Sequence, residues 1–95
     1  MIIKKTEHYI KWMAALRDER AKARITSRVL RLANGNAGDV EPIGGGVSEL
    51  RIHYGPGYRV YFKQTGIEIV ILLVGGTKKT QSADIALAKQ LASDF

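Results

Sequence analysis

The spacing of apolar positions changes along the chain, and each change marks an element. Ile2 and Ile3 open with β-branched residues and predict a short strand over residues 1–5. Thr6 offers an N-cap. Tyr9, Trp12, Met13 and Leu16 then recur at i, i+3, i+4 and i+7, which is one face of a helix. Asp18 is a second N-cap, with Glu19 in the first turn. Ala21, Ile25, Val29 and Leu32 form the next stripe, and Lys22, Arg24, Arg28 and Arg31 fall on the opposite side. Asn34-Gly35 stops this helix. Residues 34–46, rich in glycine and holding Pro42, read as a loop within the domain.

Beyond Gly46 the period falls to two. Residues 47–54 and 58–64 alternate as strands around Gly55-Pro56-Gly57, a hairpin signal. Thr65-Gly66 makes another turn. Residues 67–74 are apolar on both faces after Glu68, the pattern of a central strand covered on both sides, and Gly75-Gly76 ends it. Residues 81–93 close the chain as a helix carrying Ile85, Ala88, Leu91 and Ala92 on one side, with Thr80 or Ser82 as its cap. The predicted order is β-α-α-β-β-β-α.

The hairpin predicts a surface. If residues 55–57 form the loop, Tyr54 faces Tyr58, His53 pairs with Arg59, Arg51 with Tyr61 and Glu49 with Lys63. These last six side chains share one face. Leu50, Ile52, Tyr54, Tyr58, Val60 and Phe62 take the other, which is the core side. One sheet face is therefore expected to be polar and basic, beside Lys78 and Lys79. Arginine grips phosphate oxygens with two N–H groups and lysine adds a point charge. Tyr61 is placed to stack on an unpaired base or to donate a hydrogen bond. Gly75-Gly76-Thr77-Lys78-Lys79-Thr80 lacks the glycine and lysine spacing of a nucleotide phosphate loop.

Composition narrows the classes. The 95 residues make one domain over 1–95, and 45% apolar with 25% charged residues exclude a disordered chain. The absence of cysteine excludes disulfides and thiolate zinc, and two histidines make no metal cage. No apolar run approaches membrane-spanning or leader length, so a cytoplasmic location away from membranes is expected. Fifteen Lys and Arg against nine Asp and Glu give +6, which favours a nucleic acid, an anionic surface or an acidic protein as partner.

Three segments in order then carry a resemblance: Glu49-Leu50-Arg51, Gly57-Tyr58-Arg59-Val60-Tyr61-Phe62, and Leu73-Val74-Gly75-Gly76-Thr77-Lys78-Lys79-Thr80-Gln81. With the helical hairpin and the glycine-rich loop, the chain resembles the RelE/ParE toxin superfamily, nearest its HigB-like branch of addiction module killer proteins, the phage-derived Gp49-like proteins. The resemblance implies an α+β domain of the RelE-like fold, with two N-terminal helices packed on an antiparallel sheet of about four strands and a C-terminal helix. It implies the toxin of a type II toxin–antitoxin system, a ribosome-dependent and metal-independent endoribonuclease without cofactor that cleaves messenger RNA and inhibits translation. It implies a cognate antitoxin, with operator DNA reached only through that antitoxin. On the matching positions Arg59, Arg51 and Lys78 become catalytic, and the sheet face itself offers His53 and Tyr61 as substitutes for proton transfer or stacking. Lys79 lies on the same family loop as an RNA contact, and the basic surface itself adds Lys63 on the sheet face and Arg28 and Arg24 on the second helix as further RNA contacts. Residues 82–95 hold neither the Tyr nor the His that several members place near their end. Two other readings stay open: a ParE-like gyrase poison, and a catalytically inert antitoxin-binding co-repressor.

Overall fold

The computed structural model describes all 95 residues. The elements are β1 (Ile2–Lys5), α1 (Glu7–Ala15), α2 (Glu19–Ala33), β2 (Val40–Gly44), β3 (Val47–Ile52), β4 (Tyr58–Thr65), β5 (Ile69–Thr77), a 3-10 turn (Lys78–Thr80) and α3 (Gln81–Ala92). The α+β class is the expected one. The sheet departs from expectation in having five strands, ordered β1-β5-β4-β3-β2. It is also mixed, because β1 runs parallel to β5 while the other pairs are antiparallel. No helix is long and apolar enough to cross a membrane.

The caps of α1 and α2 behave as their residue types dictate, whereas Thr80 takes the N-cap position of α3 without a side-chain cap hydrogen bond. Thr6 Oγ1 accepts from Tyr9 N at 3.1 Å and donates to the Leu73 carbonyl. Asp18 Oδ1 accepts from the amides of Arg20 and Ala21 at 3.0 and 3.2 Å. Tyr9, Ala21, Ile25, Val29 and Leu32 bury their stripes against Leu50, Ile52, Tyr58, Val60, Phe62, Val70 and Leu72 of the sheet.

The second sheet face corrects the sequence reading. It is not solvated. α3 lies across it, and Val47, Tyr61, Ile71, Leu73 and Val74 form a second core with Ala88 and Ala92. A register shift in β4 and β5 pairs Tyr61 with Val74 but Phe62 with Leu72. Leu73 is the extra residue of this bulge, so Leu73 and Val74 both serve the α3 side.

Other corrections have simple causes. β2 occupies part of the expected loop, and Pro42 is tolerated there because β2 is an edge strand. Gly44, Gly45 and Gly46 make the turn into β3, all with positive φ. The strand expected over 67–74 runs from Ile69 to Thr77 and includes Gly75 and Gly76. These glycines do not end the strand; they are the places where large groups cross it. A Cβ on Gly75 would collide with the Trp12 ring, and one on Gly76 with the Asp84 carboxylate. Gly75→Ala is therefore expected to lose about 1–3 kcal/mol of stability, the usual range for overpacking. Urea unfolding of parent and variant measures it, and an unchanged midpoint would contradict the packing of Trp12 on this strand.

Candidate phosphate-binding site

The hairpin loop is longer than the sequence reading assumed, and this moves every cross-strand pair. Residues 53–57 lie between the strands, so Ile52 rather than Tyr54 faces Tyr58. Arg51 lies directly opposite Arg59, Glu49 opposite Tyr61 and Val47 opposite Lys63. The shift is by two residues, so the division of faces survives while the expected partners do not. Arg59 next meets Gly76 on β5.

Glu49 sits at the middle of this constellation, with no exposed surface. Arg51 Nε donates to its Oε1 at 2.9 Å, Tyr61 Oη to its Oε2 at 3.1 Å and Gln81 Nε2 to its Oε2 at 2.8 Å. Arg59 Nε lies 3.7 Å from Oε2. Burial alone would push the Glu49 carboxyl up. The bonds from Arg51, Gln81 and Tyr61, with the charge of Arg59, outweigh burial and hold it below the usual carboxylate range.

The two arginines differ in what remains free. Arg51 is committed to carboxylates: Glu49, Glu41, and Asp39 at 3.7 Å. The bond to Glu49 is the largest reason its guanidinium holds its proton more tightly than usual. Arg59 gives Nη1 to the Gly57 carbonyl at 2.9 Å, while its buried Nε has no hydrogen-bond partner. The Lys78 amide donates to the same Gly57 carbonyl at 2.9 Å. A Cβ on Gly57 would stand 3.1 Å from Arg59 Nη1 and 3.5 Å from the Lys78 Cβ. Gly57 thus lets Arg59 and the 3-10 turn close together, with Lys78 and Lys79 exposed beside them.

The remaining predicted residues are placed differently. Tyr61 is wholly buried in the second core and is not a stacking surface. Burial, then the neighbouring Glu49 charge, raise its hydroxyl well above the ordinary tyrosine range. Lys63 Nζ donates to the carbonyls of Ala92 and Phe95 at 3.2 and 3.0 Å, where it closes the end of α3. His53 lies beyond β3 with its side chain 75% exposed, and its Nε2 is 2.6 Å from Asp39 Oδ2. The His53 bond is the main reason the Asp39 carboxyl lies below its usual range. Asp39 thereby links His53 to Arg51, so His53 belongs to the same end of the sheet without pairing with Arg59.

Arg28 and Arg24 belong to a cleft of about 280 Å³ beside α2, lined by Arg24, Ser27, Arg28, Arg31, Ile52 and His53. Arg28 is fixed by the carbonyls of Arg51 (2.7 Å) and Ala37 (3.1 Å), and its buried Nε is unpartnered. Arg24 stacks over the Tyr54 ring, 4.7 Å from its centroid. Two basic groups result: Arg59 with Lys78 around Gly57, and His53 with the α2 arginines around the cleft, each with charge suited to a phosphate. No group of three or more His, Asp or Glu side chains converges to hold a metal ion.

Sequence reasoning missed Glu49 as the hub and Gln81, Glu41 and Asp39 as its associates. The apolar pattern of residues 67–74 reads as covered on both sides, but nothing in the hairpin itself marks Glu49 as buried. The comparisons with known proteins bear on the whole chain. The model of the family "Phage derived protein Gp49-like" matches residues 11–93. An uncharacterised protein of Haemophilus influenzae is 48% identical over 93 residues, covering 98% of this chain and 94% of the relative.

Proposed function

The chain belongs to the phage-derived Gp49-like family, part of the RelE/toxin-like group, and on that premise we propose that it is the toxin of a type II toxin–antitoxin pair that cleaves messenger RNA on the ribosome. The observation that carries this reading is Arg59. It is a nearly buried guanidinium, anchored through Nη1 on the Gly57 carbonyl and balanced by Glu49 on its Nε side, placed beside two exposed lysines. The Nε edge faces the Glu49 carboxylate, while Nη2 makes no hydrogen bond within the chain and is the edge proposed to meet a phosphate oxygen.

In the proposed reaction the 2′-hydroxyl oxygen of the RNA attacks the adjacent phosphorus. The bond to the 5′-oxygen breaks, leaving a 2′,3′-cyclic phosphate and a 5′-hydroxyl. The proton of the 2′-hydroxyl leaves to a base and the 5′-oxygen receives one from an acid. Arg59 and Lys78 stabilise charge on the phosphorane oxygens. His53, oriented by Asp39, is the group proposed for proton transfer. The α2 cleft with Arg24, Arg28 and Arg31 holds flanking backbone, and Lys79 adds charge at the exposed turn.

One observation favours a second reading. Tyr61 is buried with its hydroxyl on Glu49, which leaves His53 alone among the predicted groups for proton transfer and favours a gyrase-binding toxin. Induction of the chain alone, with mapping of mRNA ends and plasmid supercoiling, separates the two. New 5′-hydroxyl ends inside translated frames are the expected result. Gyrase-dependent DNA breaks with intact transcripts would transfer the assignment to gyrase, and normal growth would leave an inert antitoxin-binding protein.

A further inference from the structure

The first turn of α3 turns two side chains towards the sheet. Gln81 reaches Glu49, and Asp84, three residues on and so on the same helix face, lies over Gly76. Gly76 is the β5 partner of Arg59, and its missing side chain is what admits the carboxylate there. The Tyr61 hydroxyl, raised first by burial, also feels the negative charges of Glu49 and Asp84 and the positive charge of Arg59, which gathers these groups around it. The two carboxylates differ in what they can still accept. Glu49 has no exposed surface and takes three hydrogen bonds. Asp84 is partly exposed and forms no ion pair. Its Oδ2 accepts from Thr80 Oγ1, which orients the carboxylate, and Oδ1 has no partner in the chain. Thr80 Oγ1 in turn accepts from the Thr77 amide at 3.2 Å, so Asp84 is tied to the turn that carries Lys78 and Lys79. An acid in the first turn suits a helix N-terminus. That preference does not explain a carboxylate laid over a glycine next to Arg59.

We propose that Asp84 is the base that takes the proton of the RNA 2′-hydroxyl. The inference deepens the nuclease reading and rests on it. As the bond from the 2′-oxygen to phosphorus forms, the proton passes to Asp84 Oδ1, and the bond from phosphorus to the 5′-oxygen breaks. Protonated His53 gives its proton to the 5′-oxygen, and exchange with water restores both groups. Attacking and leaving oxygens lie roughly in line, so base and acid belong on opposite sides of the phosphorus. The strand order meets this need, with Asp84 over β5, Arg59 on β4 and His53 beyond the end of β3. Glu49 does not serve, because it is buried and both its oxygens are engaged. Charge separates a base from a bystander. A carboxylate that merely stood near the phosphate would repel it, and its removal would tighten binding and leave cleavage unchanged or faster. Removal of the base slows cleavage although the repulsion is gone.

The test is Asp84→Asn in single-turnover cleavage on ribosomes programmed with a defined messenger. Alongside it, affinity is measured for the same ribosomes carrying a 2′-deoxy nucleotide at the cleaved position, located beforehand by mapping mRNA ends. Asparagine keeps an oxygen for the Thr80 hydroxyl, so the turn should hold, which thermal melts followed by circular dichroism check. Cleavage is expected to slow about a hundred- to ten-thousandfold, the usual range for losing a general base. The 2′-deoxy complex should bind as tightly as with the parent, or more tightly. Thr80→Val removes the tie to the turn but keeps the carboxylate, and should lose far less activity than Asp84→Asn. A folded Asp84→Asn that cleaves at the parental rate or faster would overturn the assignment and leave the nuclease reading standing. So would Asp84→Asn binding the 2′-deoxy complex more weakly, or Thr80→Val cleaving as slowly as Asp84→Asn, since Asp84 would then act only by holding the turn. A parent that leaves every transcript intact would overturn the nuclease reading and this base together.

Discussion

Replacing Arg59 with alanine is expected to slow RNA cleavage about a hundred- to thousandfold, a loss of about 2.7–4 kcal/mol of transition-state stabilisation. Charge grows on the phosphorane oxygens as the 2′-oxygen attacks, so a donor already fixed in place gains most at that moment. Arg59 is fixed by Gly57 and by its position between Arg51 and Gly76 in the sheet. Arg59→Lys keeps the charge but loses the fork and the Gly57 anchor, so it too should be impaired. Arg51→Ala should act differently. Its guanidinium already answers Glu49, Glu41 and Asp39, so its loss should show mainly as altered stability. Single-turnover cleavage on programmed ribosomes, with folding checked for each variant, measures all three. A folded Arg59→Ala that cleaves at the parental rate would remove Arg59 from the site.

The parts of this site that were legible in the sequence are those set by parity. Alternation assigned Arg51 and Arg59 to one face and Leu50, Ile52, Tyr58, Val60 and Phe62 to the other, and both assignments hold because the true register differs by two residues. Pairing itself was not legible. Gly55-Pro56-Gly57 marks a turn, but nothing local shows that His53 and Tyr54 leave the ladder as well. β2 was hidden for a similar reason: Glu41, Pro42 and Gly44 have poor strand propensity, and the strand exists because β3 supplies a partner. The bland look of Glu49 came from treating the hairpin alone. Its environment depends on α3 crossing that face and on Gln81 arriving from 32 residues further along the chain. A polar residue on an alternating strand reads as solvated until the element that covers it is known.

That covered position makes Glu49 the residue whose loss should cost the most stability. Glu49→Leu leaves Arg51 Nε, Tyr61 Oη and Gln81 Nε2 without their shared acceptor and leaves Arg59 with no carboxylate beside its Nε. Removing one side of a buried ionic cluster typically costs about 3–5 kcal/mol, because the remaining charge stays buried and unpaired. That is a large share of the stability of a domain this size. Glu49→Gln keeps an acceptor oxygen for Tyr61 or Gln81 but not the charge, and should fall between parent and Glu49→Leu. The same carboxylate sets an acid limb. Its folded-state pKa lies below its unfolded value, so it stabilises the fold fully above that unfolded value, near 4.5. The contribution fades as the pH falls from there through the lower folded value. Urea midpoints measured from about pH 7 down to about pH 3 should therefore drop more steeply for the parent than for Glu49→Gln. Parallel acid limbs would mean that Glu49 gains nothing from ionisation in the fold, and that Arg51 and Arg59 are held in place by something other than its charge.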